Sequence, residues 1–270
     1  MKNFFLILTL LVFSSAILSQ ELKLSKKELA LKLDSVLEEG NLLYKYEKSA
    51  WVSTDLVREN PSVKRNFHGY FTYEINSMIK TIILDKDHQN CIAEYTFTAD
   101  FNKPFVSLEK RKINLIEEKL LDIRNKITDQ LYDEKYNISI PDGYNPNMIL
   151  LPFNDKYKLY LIMGTSQSDV IPFGNDYLFV SDSNGTIESW QKFHSQLIPM
   201  NTEINGGKVT KITHSHLRTS PLITATDICT FMLYAPLYGL EEFDVYSPAL
   251  SMYMVYNLKE NKITTKKSKY

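Results

Sequence analysis

From Tyr157 to Leu258 the chain is cut by turn residues into apolar runs of strand length, and this segmentation constrains the fold most. Lys158-Leu-Tyr-Leu-Ile-Met-Gly164 reads as a buried strand, and Asn175 to Ser181 as another. Ser183-Asn-Gly185 reads as a hairpin turn into a strand over Thr186 to Ile198. Asn205-Gly-Gly207 precedes a strand that ends in His214-Ser215-His216. One helical run, Thr224 to Tyr234, interrupts the series before strands at Glu242 to Ser247 and Met252 to Leu258. Seventeen Tyr and fourteen Phe against nine Gly suit a packed, strand-rich interior. The expectation is an α+β protein, a mixed β-sheet with flanking helices.

Upstream, Ser107 to Gln130 carries Leu108, Ile113, Leu115, Ile116, Leu120, Leu121, Ile123 and Ile127 as a continuous apolar stripe, which predicts the strongest helix. A second helix is predicted over residues 23–46, with Ser25 and Glu28 as a capping box and Gly40 as its kink or end. Ala50 to Val57 and Phe67 to Tyr73 read as short strands. Met78 to Leu84 and Ile92 to Thr98 read as a hairpin across a polar turn. His68 and His88 fall in or beside turns, with no second ligand at metal spacing. These elements divide the chain into a helix-plus-β module over 20–105, a second domain over 106–260 and a frayed basic tail over 261–270.

The first residues read as a targeting segment. Met1-Lys2-Asn3 leads an apolar run from Phe4 to Phe13, and small residues follow at 14–16. That is the pattern of a secretory signal peptide over residues 1–19, which implies export to a periplasm or the medium and no stable membrane anchor after cleavage. Export would permit Cys91 and Cys229 to pair, and two separate buried thiols fit as well. Thirty-one basic against thirty-two acidic residues leave a net charge of −1, so no nucleic-acid footprint appears and no such partner is expected.

The chemistry concentrates in one stretch. Alternate strand residues point the same way, so His214 and His216 stand side by side. Seven residues separate His216 from Thr224, and two more separate Thr224 from Asp227, at the start of the predicted helix. Two imidazoles and a carboxylate are a zinc ligand set with one position to spare. If the strands over 186–198 and 208–216 form an antiparallel hairpin, the register also brings His194 opposite His214 as a fourth ligand. Thr224 and Asp227 equally fit a helix N-cap followed by an acidic first turn.

The pattern His214-x-His216, seven residues, Thr224, two residues, Asp227 resembles the signature of the JAMM (MPN-plus) zinc metalloproteases. The resemblance runs from about Ser107 onward and implies an MPN-like domain after the N-terminal module. It implies a Zn2+ ion held by His214, His216 and Asp227, a water in the fourth position, and Thr224 assisting the oxyanion. It also implies a peptide or protein substrate. Leu217 stands where the family has Pro. The family's general-base glutamate has no counterpart ahead of Leu159 to Gly164, where Asp155 is the nearest carboxylate. Glu188, on the predicted strand of His194, is the remote candidate for that role. Two functions follow: a zinc-dependent peptidase or isopeptidase, or a non-catalytic MPN-like binding module of the cell envelope with structural or metal-stabilising histidines.

Overall fold

The computed structural model describes residues 24–268. The predicted signal segment lies outside these residues. Helix α1 runs Lys26–Glu59, and its capping box forms as the sequence predicts: Glu28 N–H donates to the Ser25 hydroxyl, and Ser25 N–H donates to the Glu28 carboxylate. The strand expected over Ala50 to Val57 is instead the C-terminal part of this helix. Tyr46, Ala50, Ser53 and Val57 all turn inward, which is helical spacing, so packing overrides the β-forming character of Val52 and Thr54.

Gly40 neither ends nor interrupts α1. A Cβ there would lie 2.6 Å from Ile228 Cβ and 3.2 Å from the Ala225 carbonyl, so the glycine lets two helices touch. The short helix α2, Pro61–Lys64, is capped by Asn60, whose side chain accepts from Ser62 and Val63 N–H.

The first sheet is antiparallel. It contains β1 (Gly69–Ile75), β2 (Met78–Leu84), β3 (Asn90–Phe97), β4 (Phe105–Ser107) and β5 (Arg111–Lys112). Helix α3 spans Leu115–Gln130, starting eight residues later than the apolar stripe suggests. Asn114 caps it and residues 105–112 supply edge strands, so Leu108 is an exposed loop residue and not helical. Glu117 is fully buried, and it accepts from Tyr73 at 2.7 Å and Arg111 at 2.7 and 2.8 Å, tying α3 to the sheet.

A second antiparallel sheet has the order β10-β9-β7-β6, from β6 (Tyr144–Phe153), β7 (Lys156–Thr165), β9 (Tyr177–Ser181) and β10 (Ile187–Lys192). Between them β8 (Val170–Gly174) pairs with β11 (Leu197–Asn201). A small hairpin follows, β12 (Glu203–Ile204) with β13 (Gly207–Lys208). The last unit comprises β14 (Ile212–Ser215), α4 (Ala225–Tyr238), β15 (Glu242–Ser247), β16 (Met252–Asn257) and β17 (Lys262–Lys267). Its sheet order is β14-β15-β16-β17. β14 and β15 are parallel with α4 as their crossover, the connection a parallel pair requires.

Three expectations are corrected here. Residues 186–198 are not one strand, because the chain bends at 193–196 between β10 and β11. β10 and β14 do not pair: β10 lies on β9 and β14 on β15. The basic tail is not frayed up to Lys267, since β17 completes the sheet edge with its lysines turned outward, the usual protection of an edge strand.

The architecture is thus α+β, several antiparallel sheets joined, among the described residues, by four α-helices. One apolar cluster joins the first sheet, α3 and the second sheet through Phe71, Ile82, Leu120, Ile127, Leu159 and Phe179. Another packs α4 on the last sheet through Phe231, Phe243 and Tyr256, with Leu29 and Leu33 of α1 joining it. The third surrounds the middle of α1, where Leu43 and Tyr46 meet Ile83, Tyr160 and Cys229. Cys91 and Cys229 are both free and buried. Among the described residues no helix is long and apolar enough to cross a membrane.

Candidate metal centre

Thr224 and Asp227 form a complete capping box at the start of α4. Asp227 N–H donates to the Thr224 hydroxyl at 3.1 Å, and Thr224 N–H donates back to Asp227 Oδ2 at 2.9 Å. The Thr224 hydroxyl also donates to Oδ2, at 2.7 Å. Local capping chemistry therefore immobilises the carboxylate and leaves its other oxygen, Oδ1, pointing elsewhere. That oxygen is buried with no hydrogen-bond partner.

It faces His214 and His194, while Oδ2 lies nearest His216. His214 on β14 and His216 just after it share a face, with their rings stacked at 5.2 Å and only 14° from parallel. His216 is held by its own N–H donating to the Tyr246 carbonyl at 2.9 Å, and His214 packs on Phe173 and Phe243. His194 arrives from the bend between β10 and β11. Its loop is fastened to the turn after β8, Phe193 N–H donating to the Asp176 carbonyl at 3.1 Å and Asn175 N–H to the Gln196 carbonyl at 3.0 Å. Gly174 in that turn has φ +76°, and a Cβ there would lie 2.4 Å from the Gln196 carbonyl, so the close approach depends on the glycine.

The four donor atoms converge. His216 Nε2 lies 2.9 Å from His194 Nε2 and 3.1 Å from His214 Nε2. Asp227 Oδ1 is 3.3 Å from His214 Nε2 and 3.5 Å from His194 Nε2, and Oδ2 is 3.1 Å from His216 Nε2. A tetrahedral ion with bonds of about 2.0–2.1 Å has donor–donor edges of about 3.3–3.4 Å. All four residues are buried, at 1–8% exposure. The cluster could hold a metal ion.

Tautomers sharpen the fit. His194 Nδ1 meets Asp176 Oδ1 at 2.7 Å, and His216 Nδ1 meets the Ser220 carbonyl at 3.2 Å. Both partners are acceptors, so both Nδ1 atoms carry hydrogen, and with no proton or ion at Nε2 the two rings would turn lone pairs toward each other. Two lone pairs 2.9 Å apart repel unless a cation or a proton sits between them. Burial disfavours a charged His194, but the Asp176 and Asp227 carboxylates outweigh it and lift the imidazole to about 9. Burial pushes His214 the other way, down, with Asp227 only partly opposing it. Burial also works against charge on Asp227, yet the three histidines hold its carboxyl well below the usual range. The site is built for positive charge: one proton offsets one of two carboxylates, and a divalent ion offsets both.

No protein-family model, curated protein or solved structure matches this chain. Its function must be argued from the site itself.

The structure brings His194, His214, His216 and Asp227 together. His194 gets there through the 193–196 bend, not the expected hairpin register. Glu188 is not brought in: it sits on the outer face of β10, 44% exposed at its side chain, bonded to Lys156 at 2.6 Å. The bulge between Ile187 and Ser189 and the edge position of β10 keep it at the surface. The Thr224 hydroxyl donates to Asp227 Oδ2, a capping and positioning contact. An adjoining cavity of about 440 Å3 is lined by Phe193, Ser220 and Thr224, but by none of the four donors.

Sequence reasoning missed the outer layer. Asp176 orients His194, and its second oxygen accepts a hydrogen bond from the Thr226 hydroxyl. A carboxylate behind a ligating histidine is the common way to fix such a ring. The only local signal at Asp176 is its place in a turn; nothing in its spacing links it to His194 or α4.

Proposed function

We propose that this chain is an exported zinc-binding protein. In this reading His194, His214, His216 and Asp227 fill a closed tetrahedral site whose ion locks α4, β14 and the β10–β11 bend together. The observation that carries it is the 2.9 Å approach of His194 Nε2 to His216 Nε2 with both Nδ1 atoms already donating, beside an orphaned Asp227 Oδ1. Four protein donors, three neutral imidazoles and one carboxylate, suit zinc, and a filled set is the mark of a stabilising site. When bound, the ion would supply the positive charge that the two buried carboxylates call for. Asp176 and the Ser220 carbonyl would hold the two histidine rings in register, and Thr224 would hold Asp227.

The second reading is a zinc peptidase of the JAMM kind. It is favoured by the placement of His214 and His216 at a strand end and Asp227 in the first turn of the following helix. It requires His194 to leave the ion, opening a position for water, and a base supplied from outside the cluster.

Metal analysis of the mature protein, purified without chelator, decides between these and their absence. Near-stoichiometric zinc in the wild type, lost in His216→Ala, is expected. A wild type without metal would sink both readings. Given metal, peptidase activity that rises in His194→Ala would favour the open site. Glu188→Gln is expected to leave metal content unchanged.

A further inference from the structure

A second cavity, about 470 Å3, opens where α1 and α4 meet β6 and the C-terminal end of β7. It shares no residue with the metal centre. Glu47 of α1 lines it, 7% exposed, and takes a hydrogen bond from Asn147 of β6. The lining offers no lysine or histidine, and its single guanidinium, Arg58, is paired with Asp55 at 2.8 Å. A carboxyl group is therefore buried facing a cavity without a protein cation to pair it, an arrangement that is costly in an empty fold.

The surrounding geometry is specific. Gly164 of β7 makes room for the Asn147 amide, since a Cβ there would sit 2.9 Å from its nitrogen. Trp51 and Tyr234 form an aromatic wall with ring centroids 5.4 Å apart, and Tyr70 lines the cavity as well. The wall is pre-formed: the Tyr234 hydroxyl accepts from Thr165 N–H at 3.1 Å, and the Tyr238 hydroxyl accepts from Asp169 N–H at 3.1 Å. These bonds pin the loop after β7 onto α4. Aromatic faces around an unpaired carboxyl attract an organic cation through ring quadrupoles as well as charge.

We propose that this cavity binds a small ligand bearing a primary ammonium group, which pairs with the Glu47 carboxylate beside the aromatic wall of Trp51 and Tyr234. Burial raises the Glu47 carboxyl to about 7 against the opposing hydrogen bond from Asn147. The other ionisable groups facing it, Tyr70, Tyr234 and Cys229, are pushed upward by burial and by its charge, and none of these side chains ever carries a positive charge. The ammonium supplies the charge the protein withholds.

The test titrates the full-length protein with n-propylammonium, n-propanol and methyl glucoside, reading backbone amide shifts by NMR. Saturable shifts at the cavity residues with n-propylammonium alone, in the millimolar range, are expected. Glu47→Gln should weaken that binding at least about tenfold, about 1.4 kcal/mol, with metal content and circular dichroism unchanged. Gly164→Ala, which displaces Asn147, should weaken it as well and serves if the Glu47 variant does not fold. No saturable response to n-propylammonium overturns the proposal. So does equal or tighter binding of either neutral probe, or an affinity unchanged by Glu47→Gln.

Discussion

If the centre holds zinc as proposed, removing the ion should destabilise the whole fold. The four donors come from three chain segments: the bend at 193–196, the end of β14, and the first turn of α4. Ile212 of β14 and Ile228 of α4 belong to the cluster around α4, and Phe193 of the bend packs against the neighbouring cluster that includes Ala225 and Cys229, so the unfolded chain presents no such site and the binding energy adds to folding energy. At free zinc about a thousand times the dissociation constant, the native state gains about 4 kcal/mol. For a chain of this size each kcal/mol moves the melting temperature by about 2–4 °C, which predicts a rise of about 8–16 °C. The electrostatics point the same way. Without the ion, Asp176 and Asp227 share the site with one protonated His194, leaving one negative charge in excess where burial is nearly complete. The assay is calorimetry on protein treated with chelator, dialysed, and reloaded with zinc, beside His216→Ala treated identically. The wild type should recover the full shift on reloading, and the variant should show little of it. Identical melting in all wild-type samples, together with no bound metal by mass spectrometry, would refute the reasoning.

Three further outcomes are expected. Asp176→Asn should weaken zinc about 10–100-fold in competition with a chromophoric chelator, because the His194 ring loses its anionic anchor; unchanged affinity would show that the ring is oriented by something else. Gly40→Ala should destabilise the protein by about 1–3 kcal/mol in urea unfolding, because the added methyl meets the fixed Ile228 Cβ at 2.6 Å; a stabilised variant would show that α1 and α4 can separate at no cost. Glu47, whose folded carboxyl sits near 7, holds its proton where the unfolded chain has lost it, so its contribution is present below the usual carboxylate range and falls as pH rises toward 7. The loss should reach about 3 kcal/mol, and Glu47→Gln should remove that slope from stability measured against pH; a slope that persists in the variant assigns it to another group.

Much of this protein is decided locally, and that part can be read from sequence. The pairing of His214 with His216 needs only the two-residue repeat of a strand, and the hold of Thr224 on Asp227 needs only the spacing of a capping box. The capping box at Ser25, the strands β2, β3, β7, β15 and β16, and the α4 helix are of the same kind. Where neighbours decide, sequence reading fails. Residues 50–57 look like a strand because β-branched and aromatic side chains suit a pleated surface; α1 keeps them helical because it is packed on several sides by both sheets and α4. Residues 262–267 look like a solvated tail because they are charged, yet β16 offers them an open edge and their lysines face solvent at no cost.

The candidate site divides along the same line. Three of its four donors lie within residues 214–227, where the strand repeat pairs His214 with His216 and the helix cap fixes Asp227. Only the tertiary structure decides that His194 is the fourth, that Asp176 stands behind it, and that Glu188 stays outside. Those positions are set by a bend, a glycine turn and a sheet edge, and each depends on contacts between residues far apart in the chain.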